Sequence, residues 1–172
     1  MNLRPHQQRA YDKMTTEKSG QIIVPTGGGK TYIMIADCKR LVTTTPRSPQ
    51  TIVVVAPRIL LANQLSNEFE SEIKNCKIAH VHSGETHHFS TTKSIELTHW
   101  NSINPQYDKL IFTTYHSLNR VLDSMVNIDR IYFDEAHNST GKSFFEQIKR
   151  VAASGIERFF FTATPRISRS KH

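Results

Sequence analysis

The chain has 172 residues, 37% of them hydrophobic and 22% charged, with a formal net charge of +7. A chain of this length buries roughly 70% of its unfolded surface, enough to fold without a disulfide or a structural metal; its 7 glycines and 7 prolines exclude collagen-like or low-complexity character. The longest apolar run, from Ile52 to Ala56, falls far short of the roughly 20 residues of a membrane helix, and the polar start MNLRPHQQRAY has no signal-peptide core.

Cys38 and Cys76 stand alone, with no paired spacing, which suits a cytoplasmic or other reducing compartment and small buried side chains rather than a zinc site. The basic excess lies at the ends: residues 1–50 carry 8 basic and 3 acidic groups, and residues 151–172 carry 4 and 1. That balance is compatible with a polyanionic partner, although no basic stripe crosses the middle.

In chain order, strands are expected over Gln21–Val24, Thr51–Ala56, Ile78–His82, Lys109–Thr113, Arg130–Phe133 and Glu157–Ala163. Several are unbroken Val, Ile and Phe runs, as in parallel sheets covered on both faces. Helices are expected from about Lys30 to Val42, over Arg58–Ile73 and over Lys142–Ala153; in the second, Leu61, Leu65, Phe69 and Ile73 recur every four residues. The alternation predicts an α/β fold, a mostly parallel sheet with helices on both faces. Residues 84–106 are polar and without period, and are expected to form loop or short irregular pieces. The last residues, RISRSKH, read as a basic linker or frayed tail.

Two motifs carry chemistry. Strand, Pro25-Thr26-Gly27-Gly28-Gly29, then Lys30-Thr31 and a helix is a loop whose backbone N–H groups can face phosphate oxygens. Lys30 can reach the outer phosphates and the Thr31 hydroxyl can ligate Mg²⁺. Val24 stands where the strict form of the motif has glycine. The second motif, Asp134-Glu135-Ala136-His137, ends an apolar strand, where open α/β sheets place ligand-binding groups. Asp134 can hold Mg²⁺ through its water shell, and Glu135 can orient and deprotonate an attacking water.

Together these segments, over residues 3–165, resemble the first RecA-like motor domain of superfamily 2 helicases and translocases. The DNA-translocating group, with restriction-enzyme motor subunits and certain repair and phage helicases, is the more similar one. Leu3-Arg4-Pro5-His6-Gln7 resembles the segment in which Gln7 would contact adenine with Arg4 nearby, His6 replacing the usual aromatic residue. The resemblance implies ATP and Mg²⁺ as cofactors and nucleic acid as partner, DNA ahead of RNA, with no role at a membrane. It implies backbone contacts from Pro57, Arg58, Gln64, Thr113 and Thr114, and coupling of nucleotide state to nucleic acid through Thr162 and Thr164. His137 would reach towards that coupling segment or a second domain.

Residues 1–165 would be the ATP-binding domain and 166–172 the tail. No second RecA-like domain fits after Pro165, so full activity would need one, in cis or in trans. The same residues would serve a nucleotide-dependent binding or regulatory module without translocation, or an RNA helicase domain. His80, His82, His87 and His88 cluster in sequence, but no carboxylate or cysteine completes a metal spacing; they read as polar loop or nucleic-acid-facing surface. Trp100 and Tyr107 read as packing anchors rather than base-stacking platforms.

Overall fold

Seven parallel strands form one sheet in the order β1-β7-β6-β2-β5-β3-β4. The computed structural model describes residues 2–25, 29–44, 48–138 and 141–164. The strands are β1 (Ser19–Pro25), β2 (Thr51–Ala56), β3 (Cys76–Val81), β4 (Phe89–Thr91), β5 (Asp108–Thr114), β6 (Arg130–Phe133) and β7 (Glu157–Thr164). The helices are α1 (Pro5–Thr16), α2 (Lys30–Thr43), α3 (Ile59–Glu72), α4 (Ser94–Ser102), α5 (Leu118–Asp123) and α6 (Lys142–Ala153).

The order of the strands explains the two-layered core. The chain steps outward through β1, β2, β3 and β4, then returns through β5, β6 and β7 into the gaps left behind. Crossovers between parallel strands are right-handed, so reversing the direction of travel moves the connecting helices to the opposite face. Strand β2 shows both faces. Ile52, Val54 and Ala56 pack with Ile33 and Met34 of α2 and Ala62, Leu65 and Phe69 of α3. Val53 and Val55 pack with Leu97 and Trp100 of α4, Leu118 and Val121 of α5 and Val151 of α6. Each fully buried aliphatic side chain contributes about 1.5–3 kcal/mol, and β2 is buried over its whole length.

All six expected strands and all three expected helices are present. Residues 84–106 depart from the expectation: they hold β4 and α4. Helix α4 buries only Leu97 and Trp100, too few apolar positions to mark a helical period in the sequence. Trp100 stacks on Phe89 at 5.6 Å between ring centroids, and Lys77 lies over the Tyr107 ring at 4.7 Å, so both aromatics pack locally. Helix α1 likewise carries no apolar period in the sequence, since it buries only Gln7 and Met14. The tail, residues 166–172, lies outside the described residues.

At the N-terminal edge of the sheet a buried polar network joins α1, α2, β6 and β7. Asp37, fully buried, accepts hydrogen bonds from Arg130 Nη1 at 2.7 Å, Arg40 Nη2 at 2.7 Å and the Tyr132 hydroxyl. Arg130 also donates to the Met14 carbonyl at 3.1 Å and pairs with Glu157 at 2.7 Å. Removing one member leaves a buried charge without compensation, which typically costs about 3–5 kcal/mol. Asp37→Ala is therefore expected to lower stability by about that amount in urea unfolding; a loss below ~1 kcal/mol would show that the network is dispensable.

Candidate nucleotide and nucleic-acid site

Because every strand is parallel, the C-terminal ends of β1, β7, β6, β2, β5 and β3 share one edge, and both sequence motifs meet there. Strand β1 leads through the glycine loop into α2. Gly29, at φ +77°, precedes Lys30, the first residue of that helix. Strand β6 ends at Phe133, followed by Asp134 and Glu135. Strand β7 separates β1 from β6, yet Lys30, at the start of α2, meets the carboxylates that follow β6. Its ammonium lies 2.8 Å from Asp134 Oδ1 and 3.8 Å from Glu135 Oε2.

Asp134 is 3% exposed, and burial pushes its carboxyl above the ordinary range, Lys30 opposing and Glu135 reinforcing the shift. Oδ1 is buried, and among the described residues the Lys30 ammonium is the group it meets. A buried carboxylate oxygen that meets only that cation, and the Thr31 hydroxyl beside Lys30 at the start of α2, are hard oxygen donors of the kind Mg²⁺ takes. Glu135 has φ +50°, a strained conformation for a non-glycine residue that persists only when its surroundings enforce it. Tyr115 supplies one constraint: its hydroxyl donates to the Asp134 carbonyl at 2.8 Å, while Gln147 of α6 donates to the Tyr115 carbonyl at 2.9 Å. Strand β2 supplies another, the Asp134 N–H donating to the Val55 carbonyl at 2.8 Å. The roles of Tyr115 and Gln147 join residues far apart in the chain, so no local spacing announces them.

Gln7 links α1 to the loop. It is buried, its Oε1 accepts the Arg4 N–H at 2.8 Å, and a Cβ on Gly29 would collide with its amide nitrogen. Gly29 therefore sits where glycine is favoured, at a positive φ and against the Gln7 amide, which a Cβ would displace. Thr26, Gly27 and Gly28 lie outside the described residues; Pro25 closes β1 and is exposed. A cavity of about 390 Å³ opens beside Gly29, Lys30 and Thr31, walled by Tyr32 and by Glu68 and Glu72 of α3. Those three wall residues were not expected from sequence.

The expected nucleic-acid residues divide. Arg58 precedes α3 and is exposed, as is Gln64 one face along, with Pro57 half-buried between β2 and the helix. Thr113 and Thr114 differ from the expectation. Thr113 is fully buried and donates to the Val81 carbonyl at 2.7 Å, and the Thr114 hydroxyl accepts the Ser117 N–H at 3.3 Å. Both hydroxyls shape the end of β5 rather than face solvent, because their strand is covered on both faces. Thr162 lies half-buried on β7 between the two motifs, and Thr164 ends that strand. His137 is exposed on a short turn, Ala136–Asn138, after Glu135.

His80 and His82 are buried rather than part of a polar or nucleic-acid-facing surface. The Gly84 N–H donates to His82 Nδ1 at 3.0 Å, so His82 carries its proton on Nε2 and donates to His80 Nδ1 at 3.0 Å. His80 then donates from Nε2 to the Ser66 hydroxyl at 2.9 Å. A carboxylate missed in the sequence, Glu70 of α3, reaches His87 and His88 at 3.3 and 3.1 Å.

A lysine at the start of a helix, facing two carboxylates across the C-terminal edge of a parallel sheet, is the arrangement of a RecA-like α/β domain with a phosphate-loop site. Residues 1–167 match the family described as the res subunit of Type III restriction enzymes, and the chain belongs to that family. No curated protein matches the chain by sequence. Among solved structures it is similar to a nuclease-deletion mutant of the Type ISP restriction-modification enzyme LlaGI in complex with a DNA substrate mimic. That match has a TM-score of 0.77 and 23% identity over 98% of this chain and 15% of that one. It is also similar to the UvsW helicase from bacteriophage T4, with a TM-score of 0.67 and 16% identity over 95% of this chain and 53% of that one. A third is the Sulfolobus solfataricus SWI2/SNF2 ATPase core in complex with dsDNA, with a TM-score of 0.60 and 20% identity over 96% of this chain and 32% of that one. At these identities the likeness is one of fold. The chain spans between 15% and 53% of the length of these three proteins.

The buried histidine pair makes stability depend on pH. Burial, with a smaller contribution from the neighbouring imidazoles, lowers the His80 pKa to about 3, whereas an exposed imidazole titrates near ~6.5. Between those values the unfolded chain binds a proton that the folded chain refuses. Stability is therefore complete above about pH 6.5 and declines as the pH falls towards 3. Urea midpoints should drop from neutral to mildly acidic pH, and His80→Gln should flatten the slope; an unchanged slope would assign it to other groups.

Proposed function

We propose that this chain binds ATP with Mg²⁺ at the edge joining Lys30, Thr31, Asp134 and Glu135, and that it works as one half of a DNA-translocating motor. The observation that carries the reading is the Lys30 ammonium held between the Asp134 and Glu135 carboxylates across β7. On binding, the ammonium exchanges these carboxylates for phosphate oxygens, as the same cation is placed to neutralise either. Mg²⁺, held by the Thr31 hydroxyl and through water by Asp134, would supply positive charge at the phosphates. Glu135, only partly buried and fixed by the strained turn, orients the attacking water and takes its proton. Arg4 and Gln7 border the adenine side, Gln7 being in contact with the loop through Gly29.

Arg58 and Gln64 support sequence-independent contact with a DNA backbone, since both are exposed, Arg58 directly after β2 at the edge that carries the nucleotide motifs and Gln64 on the helix that follows. The family and the DNA-bound proteins among the structural relatives favour DNA over RNA. Thr162 and Thr164, on the strand between Lys30 and the carboxylates, would pass the nucleotide state towards that surface, with His137 reaching a second RecA-like domain. Residues 1–165 would be the ATP-binding unit and the basic tail at 166–172 the way out of it.

Lys30→Ala should weaken Mg·ATP binding in calorimetry while circular dichroism stays unchanged; equal affinity would remove the phosphate-loop reading. Glu135→Gln should retain ATP and lower turnover by roughly 10²–10⁴-fold. An arginine finger contributes about 10³–10⁵ to such rates. The isolated chain should therefore hydrolyse ATP slowly, and a second domain supplied in cis or in trans should raise the rate by about 10³-fold or more and make it respond to DNA. Fast, DNA-stimulated turnover by the monomeric chain alone would contradict the half-motor reading.

A further inference from the structure

The histidines of residues 80–88 form two chemically different pairs. Both nitrogens of His80 and of His82 are engaged, in the relay from Gly84 to Ser66. His87 and His88 instead turn their Nε2 atoms towards a single carboxylate on α3. His88 Nε2 lies 3.1 Å from Glu70 Oε2 and His87 Nε2 lies 3.3 Å from Glu70 Oε1. One ligand atom from each of the three residues can be chosen so that all lie within 4.8 Å of one another. A tetrahedral ion with bonds of about 2.0–2.1 Å sets adjacent donor atoms about 3.3 Å apart; each imidazole already stands at about that distance from its own Glu70 oxygen, and a small closure of the two nitrogens on one oxygen completes three corners of such a shell.

We propose that Glu70, His87 and His88 form a site for a zinc-class divalent metal ion, with the fourth position open to water. The surroundings supply the support such a site needs. His88 Nδ1 lies 3.4 Å from the Thr86 hydroxyl oxygen, which also accepts the His88 backbone N–H at 3.3 Å. A ligating imidazole characteristically donates its other N–H to such an acceptor, so a metal that replaces the Nε2 proton now facing Glu70 would find the Thr86 oxygen placed to accept from Nδ1. The His80 ring stacks beside His88 at 5.4 Å and 10° between planes, fixing the orientation from behind. The approach to the metal remains open, since the His87 side chain is 67% exposed and that of Glu70 46%.

Two imidazoles and a carboxylate favour zinc, nickel or copper over Mg²⁺, whereas the Thr31 and Asp134 oxygens favour Mg²⁺. The two sites therefore select different ions. The metal would fasten residues 84–88 to α3, the helix that starts just after Arg58. Asn63 already ties the same segments by donating to the Glu85 carbonyl at 3.4 Å. Its role is to hold the loop against the helix on which Arg58 and Gln64 are mounted, not to take part in ATP chemistry.

The test is a zinc titration of the untagged chain by calorimetry in excess Mg²⁺, repeated with cobalt, whose visible absorption reports tetrahedral nitrogen and oxygen ligation. The wild-type chain should bind one zinc per molecule, with a rise in Tm. Glu70→Gln and His87→Ala, both at exposed positions, should each weaken binding at least ~10-fold and abolish the Tm rise. Thr86→Val, which keeps every ligand, should weaken it by roughly 10–100-fold. Asp134→Asn should leave zinc binding unchanged. Absence of stoichiometric binding by the wild-type chain would overturn the proposal. So would binding that survives both Glu70→Gln and His87→Ala, or binding lost with Asp134→Asn.

Discussion

A carboxylate buried at the end of a β-strand keeps its charge only beside a cation, and the site is organised around that demand. Asp134 is pushed towards its neutral form by burial and held back by Lys30. The two residues come from strands that are not neighbours, so their meeting depends on β7 lying between β1 and β6 in register. Pro25 is level with Thr164, and Phe133 with Phe160. A register slip of one residue in β7 would turn its side chains to the opposite face and carry Thr162 out of the gap. The network of Asp37, Arg130, Tyr132 and Glu157 secures the other end of the same strands. The nucleotide edge is thus held by ionic contacts at both ends of β6.

The out-and-back order of the strands gives the two faces of the sheet different work. The outward pass puts α2 and α3 on one face with the nucleotide loop, the exposed Arg58 and the histidine cluster. The return pass puts α4, α5 and α6 on the other, where Gln147 and Tyr115 secure the turn after β6. The positive φ of Glu135 is sustained by contacts from both passes: β2 holds the Asp134 N–H and Tyr115, just after β5, holds its carbonyl. Strain at that residue is the cost of presenting a carboxylate at the rim while its neighbour turns inward.

A mixed cluster such as Glu70, His87 and His88 illustrates why function-bearing contacts escape linear inspection. The two histidines are adjacent in sequence, but their carboxylate lies 17 residues earlier on a helix face. The same holds for Thr113, which the family resemblance placed on the nucleic-acid backbone. Its hydroxyl is instead consumed by the Val81 carbonyl of the neighbouring strand, because β5 is an interior strand whose residues are buried along its length.

The sequence by itself determined the elements whose signals are local: the unbroken apolar strands such as Ile52 to Ala56, the four-residue stripe of α3, and the glycine loop running into Lys30-Thr31. It also determined the order of the two chemical motifs, since phosphate binding requires glycine and lysine side by side and metal binding requires a carboxylate at a strand end. Only the tertiary structure decided what depends on neighbours distant in the chain. Helix α4 forms because Leu97 and Trp100 find a core to enter, not because its own residues carry a period. His80 and His82 lose solvent because α3 covers their strand, and Glu70 meets His87 and His88 because that helix crosses their loop. A side chain's burial and partners follow from crossovers and packing, and those are set by the summed burial of the whole sheet rather than by any one segment.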